Sequence, residues 1–128
     1  MQYPLFIEVF HLYCELNIQS EKYEKAFEIA SDWLPIWKDF AGESNSYSLG
    51  FYGIMGQCML KLDRDFDMAL KYLYKYSFQS SKAAFKCLDI LKPKMSISQE
   101  VKELMEDIVE RFDYTIFGIR PDAWVEIF

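Results

Sequence analysis

Apolar residues recur along this chain at three- and four-residue steps, the spacing of one helix face, through nearly every segment. The first run, residues 4–17, opens at Pro4, whose fixed φ suits a first helical turn. It gathers Leu5, Val9, Leu12, Tyr13 and Leu16 on one face, as an amphipathic helix does. Ser20 is placed to cap a second helix, Glu21 to Asp39, with Tyr23, Phe27, Ala30, Leu34 and Trp37 inward. Pro35 should kink it or end it a turn early. Residues 41–46, Ala-Gly-Glu-Ser-Asn-Ser, form the clearest loop. A third helix follows over 47–62, carrying Gly50, Gly53 and Gly56 among Phe51, Ile54, Met55 and Leu60. A glycine costs about 1 kcal/mol in a helix interior. Three on one stripe therefore predict a neighbouring helix backbone packed very close. A phosphate loop is disfavoured, because no Gly-Lys-Ser/Thr follows and no strand precedes.

Asp63 can cap a fourth helix, 64–78, with Phe66, Ala69, Leu70, Leu73 and Tyr76 or Ser77 facing in. Ser80 or Ser81 opens a fifth, which ends near Leu91, before Pro93. Ser96 with Gln99 fits a capping box for a sixth over 97–112, whose apolar face is Val101, Leu104, Met105, Ile108 and Phe112. Residues 114–119 read as strand or loop, with Gly118 as a stop, and Pro121 is placed to begin a short last helix to Phe128. The reading is an all-α fold of antiparallel helical hairpins with six to seven helices in one domain over 1–128. The hairpins fall at about 4–39, 47–78 and 80–112. A length of 128 residues suits one domain.

An internal repeat sharpens this. Tyr23-Glu24-Lys25-Ala26-Phe27 and Phe66-Asp67-Met68-Ala69-Leu70 share a pattern of aromatic, acid, variable, alanine, large apolar, 43 positions apart. At the same offset Leu12 matches Met55 and Leu16 matches Met59. Tyr52, Met55, Gly56 and Met59, followed by Leu60-Lys61-Leu62, Phe66 and Ala69, resemble the tetratricopeptide repeat (TPR) family. The offset is longer than that family's usual 34 or so. Tyr13 stands where a small residue is expected, the closing proline is missing, and residues 80–128 hold no third copy. The resemblance implies a TPR-like, α-solenoid-like bundle that binds protein on a concave helical face and catalyses nothing.

Composition narrows function. Acidic residues number 20 against 14 basic, net −6, so phosphate repels the chain and nucleic acid is a poor partner. No run approaches the ~18 apolar residues of a membrane span. The N-terminus lacks the basic start of a secretory signal. Cys14, Cys58 and Cys87 are odd in number, far apart and without a Cys-x-x-Cys, which points to reduced thiols in a cytoplasmic protein. His11 is the single histidine. It shares a helix face with Cys14, but no further ligand completes a metal site, so no metal and no cofactor is expected. No nucleophile elbow, Walker loop or dinucleotide fingerprint appears, and no catalytic residue is assigned.

Charge is unevenly spread. Residues 1–70 carry 5 basic and 11 acidic side chains, and residues 71–98 carry six lysines against Asp89 alone. Residues 99–128 return to eight acids against three basic residues. Glu100, Glu103, Glu106, Asp107 and Glu110 lie at helical spacing on one face. That face is either solvated or a docking surface for a basic protein partner, whose binding relieves the like-charge repulsion. Lys71, Tyr72 and Lys75 form a second candidate patch, either for an acidic partner or, as the favoured reading, complementing acids within the fold. Three readings of function follow. The first is a non-enzymatic protein-binding domain, most concretely an acidic inhibitor such as the immunity protein of a basic nuclease toxin. The second is a TPR-like adaptor that holds a peptide or helix. The third is a small helical enzyme using His11 and a cysteine.

Overall fold

The computed structural model describes residues 3–115. Six α-helices follow one another: α1 (Tyr3–Gln19), α2 (Tyr23–Ala41), α3 (Ser46–Lys61), α4 (Phe66–Tyr76), α5 (Ser81–Leu91) and α6 (Gln99–Thr115). A single 3-10 turn, Lys92–Lys94, sits before α6 at Pro93. Among the described residues there is no strand, and no helix is long and apolar enough to cross a membrane. The fold is all-α, as the periodicity requires. Tyr114 and Thr115 close α6; residues 116–119 and the expected helix from Pro121 lie outside the described residues.

Two packed clusters meet along α3. One joins α1, α2 and the first three turns of α3 through Ile7, Cys14, Ala30, Trp37, Phe51 and Cys58. The other joins the end of α3 to α4, α5 and α6 through Met59, Leu73, Cys87, Leu91, Met105 and Ile108. Phe27 and Tyr72 pack against both. Since α3 is covered on both sides, every residue from Gly50 to Leu60 except Gln57 is buried. This is why its sequence is apolar all round rather than on one stripe.

The turns explain where the helices stop. After α1, Lys22 N–H donates to Asn17 O (2.7 Å) and Glu21 N–H to Ile18 O (3.0 Å), with Glu21 at φ 60°. After α3, Arg64 N–H donates to Met59 O (2.9 Å) and Asp63 N–H to Leu60 O (3.4 Å), with Asp63 at φ 54°. Both are left-handed closures that satisfy the last helical carbonyls. Ser20 and Asp63 therefore end helices rather than begin them. The second turn has one residue more, Asp65, whose carboxylate accepts from Met68 N–H (3.4 Å) and caps α4. Asn45 and Ser80 cap α3 and α5 by accepting from Tyr47 N–H (2.9 Å) and Ala83 N–H (3.0 Å). Ser98, not Ser96, opens α6, since its hydroxyl accepts from Val101 N–H (3.3 Å). Gln99 reaches Glu103 instead of a cap.

Three further expectations are corrected. α2 runs through Pro35 to Ala41 without ending early; Pro35 is exposed, so water can serve the carbonyl its missing N–H leaves free. Phe66 is exposed at the start of α4 rather than facing in. The face gathered by Val9, Leu12, Tyr13 and Leu16 points to solvent, while Ile7, Cys14 and Asn17 are buried. The sequence match of Leu12 with Met55 and Leu16 with Met59 thus joins exposed residues to buried ones. The extra residue in the second turn shifts the first helix of each pair by one. Cys14 and Gly56 are the equivalent close-approach positions, beside the Ala26 and Ala69 carbonyls respectively.

The glycine stripe also differs from expectation. A Cβ on Gly50 would lie 2.2 Å from His11 Cε1, and one on Gly53 2.5 Å from Tyr76 Cγ. Only at Gly56 does a neighbouring backbone come close, with a Cβ 3.0 Å from Ala69 O and 2.8 Å from Leu73 Cγ. Two of the three glycines thus seat rings, and one seats a helix.

Candidate functional site

Val101, Met105 and Ile108 anchor α6 completely buried against α4 and α5. Their three- and four-residue spacing fixes the rotation of the helix. The opposite face must then carry Glu100, Glu103, Glu106, Asp107 and Glu110, and all five are exposed. Glu100, Glu103 and Asp107 lean toward α4. They border an open trough of about 390 Å³ that Leu70, Lys71, Tyr74 and Leu104 complete. Glu106 and Glu110 lie outside it. The trough combines an acidic rim with an apolar floor, and the floor residues Leu70, Tyr74 and Leu104 carried no binding signal in the sequence.

Arg111 closes the far end. Its guanidinium donates to Ser77 Oγ (2.7 Å), lies 3.9 Å from the Phe78 ring centroid, and brings Nε to 3.9 Å from Asp107. This ties the end of α6 to the end of α4. Glu100, Glu103, Glu106 and Glu110 have no ion pair among the described residues.

The second candidate patch does not hold together. Lys75 pairs with Glu43 and stands 4.9 Å from the Tyr52 ring centroid. Tyr52 Oη donates to the same carboxylate (3.0 Å). Lys75 and Tyr52 hold the Glu43 carboxyl below its usual range. Tyr72 is half-buried between the two clusters, 5.1 Å from Tyr52 between ring centroids. Lys71 alone faces the α6 acids, without an ion pair to them.

His11 and the cysteines go to separate places. His11 Nε2 lies 3.2 Å from Tyr47 O, and its ring packs 4.3 Å from that of Phe51. Burial pushes its pKa below the ordinary 6.5, so the ring is neutral at physiological pH. The Cys14 thiol donates to Ala26 O (3.8 Å) and that of Cys87 to Leu73 O (3.3 Å). Burial pushes Cys14 up to about 11 and Cys58 and Cys87 to about 12, which disfavours the thiolate a nucleophile needs. Among the described residues no group of three His, Cys, Asp or Glu side chains is placed to hold a metal.

Glu15 of α1, Gln57 of α3, Tyr76 of α4 and Lys86 of α5 surround a recess of about 130 Å³ beside His11. That volume holds a few waters at roughly 30 Å³ each. It is far smaller than a bound helix about 10 Å across needs. In comparison with known proteins, no family model, no curated protein and no solved structure matches the chain.

Proposed function

We propose that this chain is a non-enzymatic protein-binding domain that docks a basic protein partner on the α6 face. The observation that carries the reading is the trough between α4 and α6. Exposed, unpaired Glu100 and Glu103 with Asp107 rim an apolar floor of Leu70, Tyr74 and Leu104. Charge on a rim accelerates and orients encounter, while an apolar floor with an aromatic supplies the tightness. Like charges along α6 cost a few tenths of a kcal/mol per pair in the free chain. A cationic partner removes that cost. In its most concrete form the chain is a cytoplasmic inhibitor of the immunity-protein kind, antagonising a nuclease toxin whose basic surface serves nucleic acid. The three buried, unbridged thiols fit a reducing compartment.

The test is titration against a basic nuclease toxin from the same genome, with association rates followed at low and high salt. Charge reversal in the double variant Glu103→Lys, Asp107→Lys should slow association by about tenfold or more and flatten its salt dependence. An unchanged rate and salt slope would remove α6 from the interface.

A further inference from the structure

The first helix is apolar on two opposite sides. One side, Ile7, Phe10 and Cys14, packs into the fold. The other presents Phe6, Val9, Leu12, Tyr13 and Leu16 to solvent at 58%, 55%, 60%, 42% and 59% exposure. Glu8, Glu15 and Gln19 occupy a narrow polar arc between them, while His11 hydrogen-bonds to Tyr47 O and the buried Asn17 to Tyr13 O. A helix with so little polar surface is the kind found covered on all sides. The exposed side continues onto α2. Ile29, Trp33, Ile36 and Phe40 follow one another at helical spacing along one flank, and the Trp33 ring stacks on Phe10 at 4.2 Å between centroids. Ile36 and Phe40 are each 57% exposed.

We propose that this α1–α2 face is a homodimer interface in which α1 packs antiparallel against α1 of a second copy. Two observations select a second copy over other occupants. The first is spacing: positions 6, 9, 13 and 16 read the same in both directions about residue 11. A twofold axis there sets Phe6 level with Leu16 of the second copy and Val9 level with Tyr13, so the stripe is its own complement. The second is area. At the exposures above, seven side chains present roughly 700 Å² per copy, close to the ~800 Å² each partner buries in a standard interface and above the largest patch of most monomers. The stripe itself is apolar apart from the Tyr13 hydroxyl, and Lys25 of α2, whose ammonium stands 5.3 Å from the Tyr13 ring centroid, borders it on one side. Glu8 and Glu15 border it on the opposite side. The twofold axis brings Glu8 of one copy beside Glu15 of the other, so salt should strengthen the dimer. Salt weakens binding on the acidic α6 face, which keeps the two surfaces experimentally separate.

Sedimentation equilibrium of the whole chain at rising concentration and two salt levels is the first measurement. The expected result is a monomer–dimer equilibrium that tightens with salt. Val9→Glu sets a charge at the centre of the stripe and should weaken the dimer about tenfold or more, since a buried unpaired carboxylate is strongly disfavoured. Val9 is exposed in the single chain, so the variant should keep its circular dichroism, and its urea midpoint should equal the parent's measured at concentrations low enough for the parent to be monomeric. Oxidative cross-linking then reads the register. Phe6→Cys mixed with Leu16→Cys should form a covalent dimer, and neither variant should do so alone. In the antiparallel pair each position lies about 15 Å along the axis from its own symmetry mate, beyond disulfide reach. A chain that stays monomeric at high concentration overturns the proposal. So does a dimer indifferent to Val9→Glu. A midpoint below that of the monomeric parent would instead mean that another part of the chain covers the face, which overturns it equally.

Discussion

Alanine at Gly56 tests the closest helix–helix approach in the fold. In an open helix the substitution stabilises by about 1 kcal/mol, because alanine loses less backbone freedom than glycine on folding. Here the new Cβ would lie 2.8 Å from Leu73 Cγ and 3.0 Å from Ala69 O. Neither neighbour can give way. Leu73 is fully buried, and the Ala69 oxygen belongs to the α4 backbone. α3 and α4 must separate by several tenths of an ångström, which loosens contacts along both. Overpacking of this kind costs about 1–3 kcal/mol, and a backbone obstacle belongs at the upper end of that range. After the propensity gain, Gly56→Ala should still destabilise by about 1–2 kcal/mol. At a urea slope of about 1–3 kcal/mol/M the midpoint falls by roughly 0.5–1 M, with the slope unchanged. Leu73→Ala made in the Gly56→Ala background should cost less than its own 2–5 kcal/mol or so, because the added methyl takes part of the vacated space. A Gly56→Ala midpoint equal to or above the parent's would refute the close approach.

Two further predictions rest on single groups. Burial lowers the His11 pKa below 6.5 in the folded chain, so the unfolded chain takes up the proton first as pH falls. That share of stability is complete above pH 6.5 and is lost as pH falls from there toward the folded pKa. Urea midpoints should decline through that window, less so in His11→Gln, and a flat profile counts against a buried neutral ring. Ser80→Ala removes the cap accepted from Ala83 N–H and should cost about 1 kcal/mol. Asn45→Ala should cost about 2 kcal/mol, because Asn45 Oδ1 accepts from both Tyr47 N–H and Trp37 Nε1. Equal losses in thermal or urea melts would show that the Trp37 bond contributes nothing.

The helix inventory was readable because each helix except α1 and α3 has one dry side, and the period then fixes both type and rotation. α6 is the clearest case. Its period sets Val101, Met105 and Ile108 inward, where they are buried, and the same rotation delivers the five acids to the surface. α1 failed for the opposite reason. With apolar residues on two sides, periodicity identifies a helix but gives no criterion for choosing which side packs. Pairing with α2 decides, by placing Cys14 against the Ala26 carbonyl. A cap residue is hard to place from sequence where a left-handed residue closes the preceding helix. Glu21 and Asp63 carry no glycine to announce a positive φ. The trough floor was invisible because Leu70, Tyr74 and Leu104 come from two helices that meet only in the folded chain.

The two proposed surfaces depend on each other through charge. Each copy carries net −6, so pairing through α1 joins two strongly acidic chains. Screening at physiological salt, with a Debye length of about 8 Å, leaves only the charges nearest the contact opposing it. On α1 these are Glu8 and Glu15, and Glu8 is already engaged by Tyr47 Oη at 3.1 Å. An apolar interface of this area can tolerate that repulsion. The paired particle would concentrate twice the negative charge while leaving α6, which belongs to the other cluster, uncovered. A larger field raises the encounter rate with a cationic partner. Association of a basic partner should therefore be faster per site for the dimer than for the Val9→Glu monomer at low salt, and the difference should vanish at high salt. Dimerisation then serves the acidic face kinetically without contributing a single residue to it.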